Sequence, residues 1–344
     1  MKKVTILLVG IVLLFAACEK DDLSATLSDV LTVKYKGAEM PAYIYGNGSE
    51  KIFLIILNGG PGGKGLEYRL GGVKDLEEKY AVVYLDQRGS GMSTGNYSSQ
   101  EITPALMAED VLALVKVLKF KYGNDLKFFL LGHSWGGLLG SKVMLTDQSP
   151  FKGWIEVDGG HNLKDLFDDL LIRFPEIANE QIAKGNSVDF WTDVNSTIDE
   201  LSIDGYSDDN GTTLNQLAYK SEEYLRDDSV LGDQNGMNIN IINFLYEESP
   251  LLTGVSAMTI NTTLSYIWTE VDYTQELNKI TIPSLIMWGK YDLVIPYNQG
   301  EEAFANIGSL KKSWILFETS GHSPMMDEHE KFKNEMIKFI EANK

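Results

Sequence analysis

The stretch Gly132-His133-Ser134-Trp135-Gly136 sets a serine between two glycines, directly after the apolar run Leu126–Leu131. That run predicts a strand, and Leu138-Leu139 begins a helix that would pack on the sheet. A serine on the sharp turn between strand and helix needs small neighbours, or the helix cannot close on the strand. Gly132, Gly136 and Gly137 meet that need. Serine is a poor nucleophile at its own pKa, so it requires a base to take its proton and an acid to orient that base. Two later positions supply them. Pro283–Gly289 reads as a buried strand, and Asp292 follows just past its end. The run Trp314–Phe317 leads through Glu318-Thr319-Ser320-Gly321 to His322, on a loop after the last strand. The chemistry expected is acyl transfer, with Ser134 as nucleophile, His322 as base and Asp292 as orienting acid.

With four histidines in the chain, the choice of base is narrow. His133 lies inside the turn, points away from Ser134 and reads as structural. His161 follows a strand and reads as a polar loop residue, with the mouth of the site as the alternative. His329 stands among Asp327, Glu328 and Glu330 and reads as solvated.

Lys51–Leu57 predicts another strand, followed by Asn58-Gly59-Gly60-Pro61-Gly62-Gly63. Glycines there let backbone N–H groups approach a ligand closely. Taken together, Asn58–Gly63, then Asp86-Gln87-Arg88-Gly89-Ser90-Gly91 with Ser93, then Gly132–Gly137 resemble the prolyl iminopeptidase family. That family is a branch of the α/β-hydrolase serine peptidases. The resemblance is dense over residues 51–140 and returns at 283–296 and 320–324. It implies an α/β-hydrolase fold, in which Ser, acid and His follow in that chain order. It also implies an oxyanion hole made by the amides of Gly60 and Trp135, with Gly59 as the fallback for the first. The family's first motif usually begins with His; Asn58 stands there instead, so the loop's side-chain hydrogen bonds must differ. The Asp86–Gly91 segment is expected to shape the crevice floor, with Asp86 and Arg88 as a buried ion pair.

The elements that must carry these residues follow from hydrophobic patterning. A hairpin over Leu31–Tyr35 and Ala42–Tyr45 comes first. Strands at Ile52–Leu57, Ala81–Leu85, Phe128–Leu131 and Trp154–Val157 then alternate with helices, one of them amphipathic over Leu106–Leu118. Such alternation implies a mostly parallel, doubly wound sheet with helices on both faces. From about His161 to Glu276 the apolar spacing suits helices only, and the sheet restarts near Thr281. The reading is an α/β-hydrolase core over residues 31–160 and 277–344, with an inserted helical cap over 161–276.

The cap is acidic. Between His161 and Asp272 it holds 21 Asp and Glu against 5 Lys and Arg. A cleft of one sign concentrates ligands of the other, and the resembled peptidases hold a peptide's free amine with cap carboxylates. Glu222, Glu223, Glu247 and Glu248 are the candidates, and Trp268 is a candidate pocket wall; an acidic cap in an acidic chain is the plainer reading. Asp204, Asp208, Asp209 and Asn210 miss the spacing of a calcium loop, so no metal and no cofactor is assigned.

The first residues, Met1-Lys2-Lys3 and then Val4–Ala17, combine a basic start with an apolar stretch too short to span a bilayer. Leu14-Phe15-Ala16-Ala17-Cys18 resembles a bacterial lipoprotein signal (residues 1–17) cleaved before a lipid-bearing Cys18. Residues 18–30 then form a tether, and Glu19-Lys20-Asp21-Asp22 resembles an acidic export tag of surface lipoproteins. Cys18 is the only cysteine, so no disulfide forms within the chain. The expected location is the cell envelope, with the membrane contacted through the lipid anchor alone. The whole chain has 344 residues and a net charge of −19, a poor match for nucleic acid. Three functions are in view: an aminopeptidase acting on short peptides, an N-terminal proline among its targets; a carboxylesterase or amidase; and a binding protein that keeps the fold without turnover.

Overall fold

The computed structural model describes residues 23–232 and 258–344. Nine strands form one sheet in these residues. Its strands are β1 (Leu27–Tyr35), β2 (Ala38–Gly46), β3 (Ile52–Leu57), β4 (Ala81–Leu85), β5 (Thr94–Gly95), β6 (Lys127–His133), β7 (Phe151–Val157), β8 (Ser284–Gly289) and β9 (Lys312–Phe317). The order is β1-β2-β4-β3-β6-β7-β8-β9, with β5 beside β2. The β1, β2 and β4 contacts are antiparallel, and every pairing from β4 to β9 is parallel.

A parallel strand covered on both faces should be apolar throughout, and β3 is: all of its residues, Ile-Phe-Leu-Ile-Ile-Leu, are buried. Its side chains alternate between two cores. Phe53, Ile55 and Leu57 meet the face packed by α2 (Pro104–Tyr122) and α3 (Trp135–Asp147). Ile52, Leu54 and Ile56 meet the face that holds Phe332, Met336 and Ile340 of the C-terminal helix His329–Asn343. The short helix α1 (Gly71–Asp75) lies on this second side, through Val73.

Helix α2 is longer than the Leu106–Leu118 expected. Pro104 starts it, the Thr103 hydroxyl caps it by accepting the Leu106 N–H at 3.2 Å, and Gly123 ends it. The first strand also begins early. Residues 27–30, expected as the end of a tether, pair with Tyr43–Gly46 in the sheet. Asp29 breaks the apolar alternation there, and it is tied down by the Tyr122 hydroxyl at 2.7 Å and Lys121 at 2.5 Å.

Between β7 and β8 the described residues hold helices α4 (Leu166–Lys184), α5 (Val188–Asp204) and α6 (Asp208–Asp227), and no strand apart from a single bridge. That bridge joins Asn162 to Asp272, so the two ends of the inserted segment meet where it leaves the sheet. Trp191 is fully buried in the cap's packing.

Arg88 does not pair with Asp86. It makes a bidentate pair with Asp110 of α2, at 2.6 and 2.8 Å, and donates to the carbonyls of Tyr35 and Lys36. Asp86 turns into its own loop and accepts the N–H groups of Gly65 and Met92, each at 2.9 Å. Gly91 wraps over that carboxylate at φ +53°, where a Cβ would lie 2.4 Å from the Asp86 carboxyl carbon. Arg88 is fully buried and Asp110 nearly so. Removing one partner strands a buried charge, at a cost of about 3–5 kcal/mol. Urea unfolding should therefore show Arg88→Met losing that much, and Arg88→Met with Asp110→Leu recovering most of it. Equal stability of the single and double variants would contradict the pairing.

Candidate active site

The C-terminal ends of the parallel strands collect the chemistry-bearing residues, as a crevice at the edge of an open parallel sheet does. β6 ends at His133, and Ser134 turns directly into α3 with φ +57° and ψ −125°. A non-glycine residue there costs on the order of 1–3 kcal/mol. The turn is over-determined by its surroundings. Ser134 N–H donates to the Val157 carbonyl at 3.2 Å, and its own carbonyl accepts from Gly137 at 2.8 Å and Gly160 at 3.2 Å. Space sets the glycines: a Cβ on Gly132 would lie 2.1 Å from the Gly136 oxygen, one on Gly136 2.0 Å from the Leu57 oxygen, and one on Gly137 2.4 Å from the Gly159 Cα.

Asp292 is fully buried. One oxygen accepts the N–H groups of Val294 at 2.8 Å and Ile295 at 2.9 Å, and the other faces His322 Nδ1 at 2.8 Å. This hydrogen bond fixes the tautomer, with the proton on Nδ1 and the lone pair on Nε2. His322 Nε2 is buried and makes no hydrogen bond among the described residues. Burial works to lower the His322 pKa, but the charge and hydrogen bond of Asp292, with Glu222 behind, outweigh it and raise it. The structure thus joins Asp292 to His322. It places Ser134 on the same sheet edge without a hydrogen bond from His322 to it.

Around these three runs a second set of hydrogen bonds that the sequence did not announce. The Gly59 N–H donates to the Tyr68 hydroxyl at 2.7 Å, and that hydroxyl donates to His133 Nδ1. His133 Nε2–H donates to the His322 carbonyl at 2.6 Å. Burial, with His322 nearby, pushes the His133 pKa down to about 3, so its ring is neutral and suited to one donation and one acceptance. His133 is structural, as its place in the turn suggested. Because the Gly59 amide is taken by Tyr68, the fallback oxyanion donor is occupied; Gly60, beside it, is exposed. Trp135 is the first residue of α3, and its N–H has no acceptor within the helix.

Asn58, in place of the family's histidine, is held by Gln87. The Gln87 amide donates to the Asn58 side-chain oxygen at 2.9 Å and carbonyl at 3.1 Å, and accepts from the Trp135 indole at 2.8 Å. The glycine loop after β3, the Asp86–Gly91 loop after β4 and the serine turn after β6 are therefore one hydrogen-bonded unit.

From the cap, Glu222 of α6 reaches the core. Its carboxylate accepts the His322 N–H at 2.6 Å and lies 3.6 Å from Arg226. Burial pushes its pKa up to about 7, against the pull of the His322 N–H. Glu223, the next residue, is exposed and turned away. Trp268 is half-buried and packs against the main core, with no hydrogen bond to the site. Glu247, Glu248 and Cys18 lie outside the described residues. His161 is in the loop after β7, as expected, but its ring is turned inwards and not to the mouth. It is fully buried, 3.2 Å from Glu302 and 3.7 Å from Glu156. Burial would lower its pKa, but the two carboxylates win and carry it to about 9. His329 is solvated beside Glu330, as expected.

The fold is that of the α/β-hydrolases. The family described as alpha/beta hydrolase fold matches residues 52–201. Along most of its length the chain is similar to proline iminopeptidases. It is 27% identical over 310 residues to one from Saccharolobus solfataricus, covering 84% of each chain. It is 25% identical over 296 residues to a protein of Bacillus subtilis named probable aminopeptidase, covering 82% of this chain and 86% of that one. Among solved structures, a proline iminopeptidase-related protein from Thermus thermophilus superposes with a TM-score of 0.58 at 22% identity, covering 92% of this chain and 98% of that one. An esterase from Exiguobacterium antarcticum superposes equally well, with a TM-score of 0.58 at 21% identity over 92% of this chain and 100% of its own.

Tyr68→Phe removes the hydroxyl that serves both Gly59 and His133. Each buried group left unpaired costs about 1–3 kcal/mol, so thermal unfolding should show a clear drop in Tm. Unchanged stability would mean that the link between the glycine loop and His133 does not depend on that hydroxyl.

Proposed function

We propose that the chain is a serine hydrolase working through an acyl-enzyme, and that its substrates are short peptides from which it releases the N-terminal residue, proline among the candidates. The Asp292–His322 hydrogen bond of 2.8 Å, on the edge where Ser134 projects, carries the reading. In it, the Ser134 hydroxyl adds to the substrate carbonyl carbon while its proton passes to His322 Nε2. Asp292 holds Nδ1–H and stabilises the imidazolium that forms. The oxyanion is met by the N–H groups of Gly60 and Trp135. As the intermediate collapses, the departing amine takes the proton from His322. Water, deprotonated by the same nitrogen, then releases the acyl group and restores Ser134.

Two observations favour a free amine on the substrate. Relatives that cover more than four-fifths of this chain are named probable aminopeptidase or proline iminopeptidase. Glu222 brings a cap carboxylate to the backbone of the base, close enough for its charge to act on His322 and Asp292. A second reading, an esterase or amidase indifferent to the amine, is favoured by one fact: Glu222 is already engaged by the His322 N–H and Arg226.

A matched set of fluorogenic substrates separates the two: amino-acid amides with free amines, the same amides acetylated, and short acyl esters. Ser134→Ala should lose at least ~10³-fold in kcat with its fold intact; persistent turnover would end the proposed mechanism. Preference for free amines supports the aminopeptidase, and equal turnover of acetylated substrates supports the second reading. The pH dependence is a further test. Glu222 must be ionised to attract an ammonium group, and its pKa is about 7 rather than the usual carboxylate value. The ratio of kcat/KM for free over acetylated amides should therefore fall as pH drops through about 7. The requirement for neutral His322 lowers both rates together and leaves the ratio alone.

We infer also that the chain is exported and anchored in the cell envelope by lipid on Cys18. Metabolic labelling with a fatty acid should mark the expressed protein and not Cys18→Ser; labelling of both would overturn the anchor.

A further inference from the structure

Asp158 is the first residue after β7, next to the strand that ends near Asp292. It has a left-handed backbone with φ +44°, unusual for a residue with a side chain, and it is fully buried. Two hydrogen bonds lock it to β8: its N–H donates to the Met287 carbonyl at 3.0 Å, and one carboxyl oxygen accepts the Gly289 N–H at 2.8 Å. The other oxygen is buried with no N–H or O–H partner among the described residues. The Asp158 carboxyl meets that of Asp292 side by side; its free oxygen lies 4.0 Å from His133 Nε2, and one carboxyl or ring-nitrogen atom from each of Asp158, His133 and His322 falls within 4.8 Å of the other two. His133 is not free to use it, because its Nε2–H is committed to the His322 carbonyl.

We infer that Asp158 is a second acid for His322, a positioning residue that accepts the imidazole Nδ1–H when Asp292 is absent. The inference rests on the reading of Ser134, His322 and Asp292 as a triad. Two carboxyls buried side by side cannot both ionise. Burial first, and then the Asp292 charge, raise the Asp158 carboxyl well above the usual range, with Glu222 adding to the effect. Asp292 accepts three N–H groups and Asp158 one, so Asp158 is the carboxyl of the two held towards its neutral form. Take away the Asp292 carboxylate and the main charge opposing Asp158 ionisation goes with it. Asp158 then ionises beside His322. Closing to the ~2.8 Å of a charge-assisted hydrogen bond moves its side chain into the space that Asp292 vacated.

This predicts an order of variants that a purely structural Asp158 would not produce. Asp292→Ala leaves Nδ1–H available to Asp158. Asp292→Asn does not, since its oxygen stays on the Val294 and Ile295 amides and its NH2 meets Nδ1, imposing the wrong tautomer. The rate of covalent labelling of Ser134 by a fluorophosphonate reads the activated serine without assuming a substrate. Asp292→Asn should slow labelling by about 10⁴-fold, and Asp292→Ala by only about 10²-fold, within the range for loss of one orienting hydrogen bond to a charged group. Adding Asp158→Asn to Asp292→Ala should bring it down to the Asp292→Asn rate. In proton NMR, the low-field Nδ1–H resonance of His322 should survive in Asp292→Ala and vanish in that double variant. Equal labelling by Asp292→Ala with and without Asp158→Asn, or Asp292→Ala as slow as Asp292→Asn, would overturn the second acid. Asp292→Ser is the replacement, with the same expectations, if melting curves show the alanine variant unfolded. Failure of the wild-type chain to label, or labelling of Ser134→Ala, would instead overturn the triad itself.

Discussion

The whole site depends on how closely α3 packs against the end of β6. A serine at φ +57° is unfavourable by itself, and it persists because nothing wider than a hydrogen fits at Gly132, Gly136 or Gly137. That close approach also leaves the Trp135 N–H at the helix start without an acceptor, and it sets the serine above the strands whose ends carry Asp158, Asp292 and His322. One steric constraint thus holds both the strained serine and a helix-start N–H without an acceptor at the edge where four strands end.

What holds the loops in register is polar. Tyr68 and His133 form a relay from the glycine loop to the carbonyl of His322. Gln87 forms a second link, from Asn58 to the Trp135 indole. The two networks meet the serine turn from different sides, and each uses groups that burial would make costly if unpaired. The neutral, low-pKa state of His133 belongs to this logic: a charged ring would have two donors and could not accept from Tyr68.

The places of Ser134, Asp292 and His322 at strand ends were legible because their signals are local: a strand, a glycine or a strand end lies within a few residues of each. The parallel sheet and the helices between β7 and β8 were legible for the same reason, through the apolar runs and their interruption after His161. Tyr68, Gln87 and Asp158 carry no such signal. Tyr68 is distant in sequence from His133, and Asp158 gains its surroundings from β8, more than a hundred residues on. Arg88 was misassigned because the nearest acid in sequence, Asp86, points into its own loop while Asp110 comes up from α2. The burial of His161 was hidden for a similar reason, since its partner Glu302 lies on the helix Tyr297–Asn306. Among the cap carboxylates nothing local distinguished Glu222 from Glu223; only helix orientation did.

The contact between Glu222 and the His322 N–H bears on how such enzymes diversify. An inserted segment is usually regarded as a free module, exchangeable above an unchanged core. Here one of its carboxylates holds the backbone of His322, and a Cβ at Gly321 would lie 2.5 Å from it. Grafting another insertion onto this sheet would strip His322 of a backbone partner and Gly321 of its reason to be glycine. A replacement for this region would have to bring its own acceptor to the loop after β9, so the two segments are one structural unit though Glu222 and His322 are 100 residues apart in sequence.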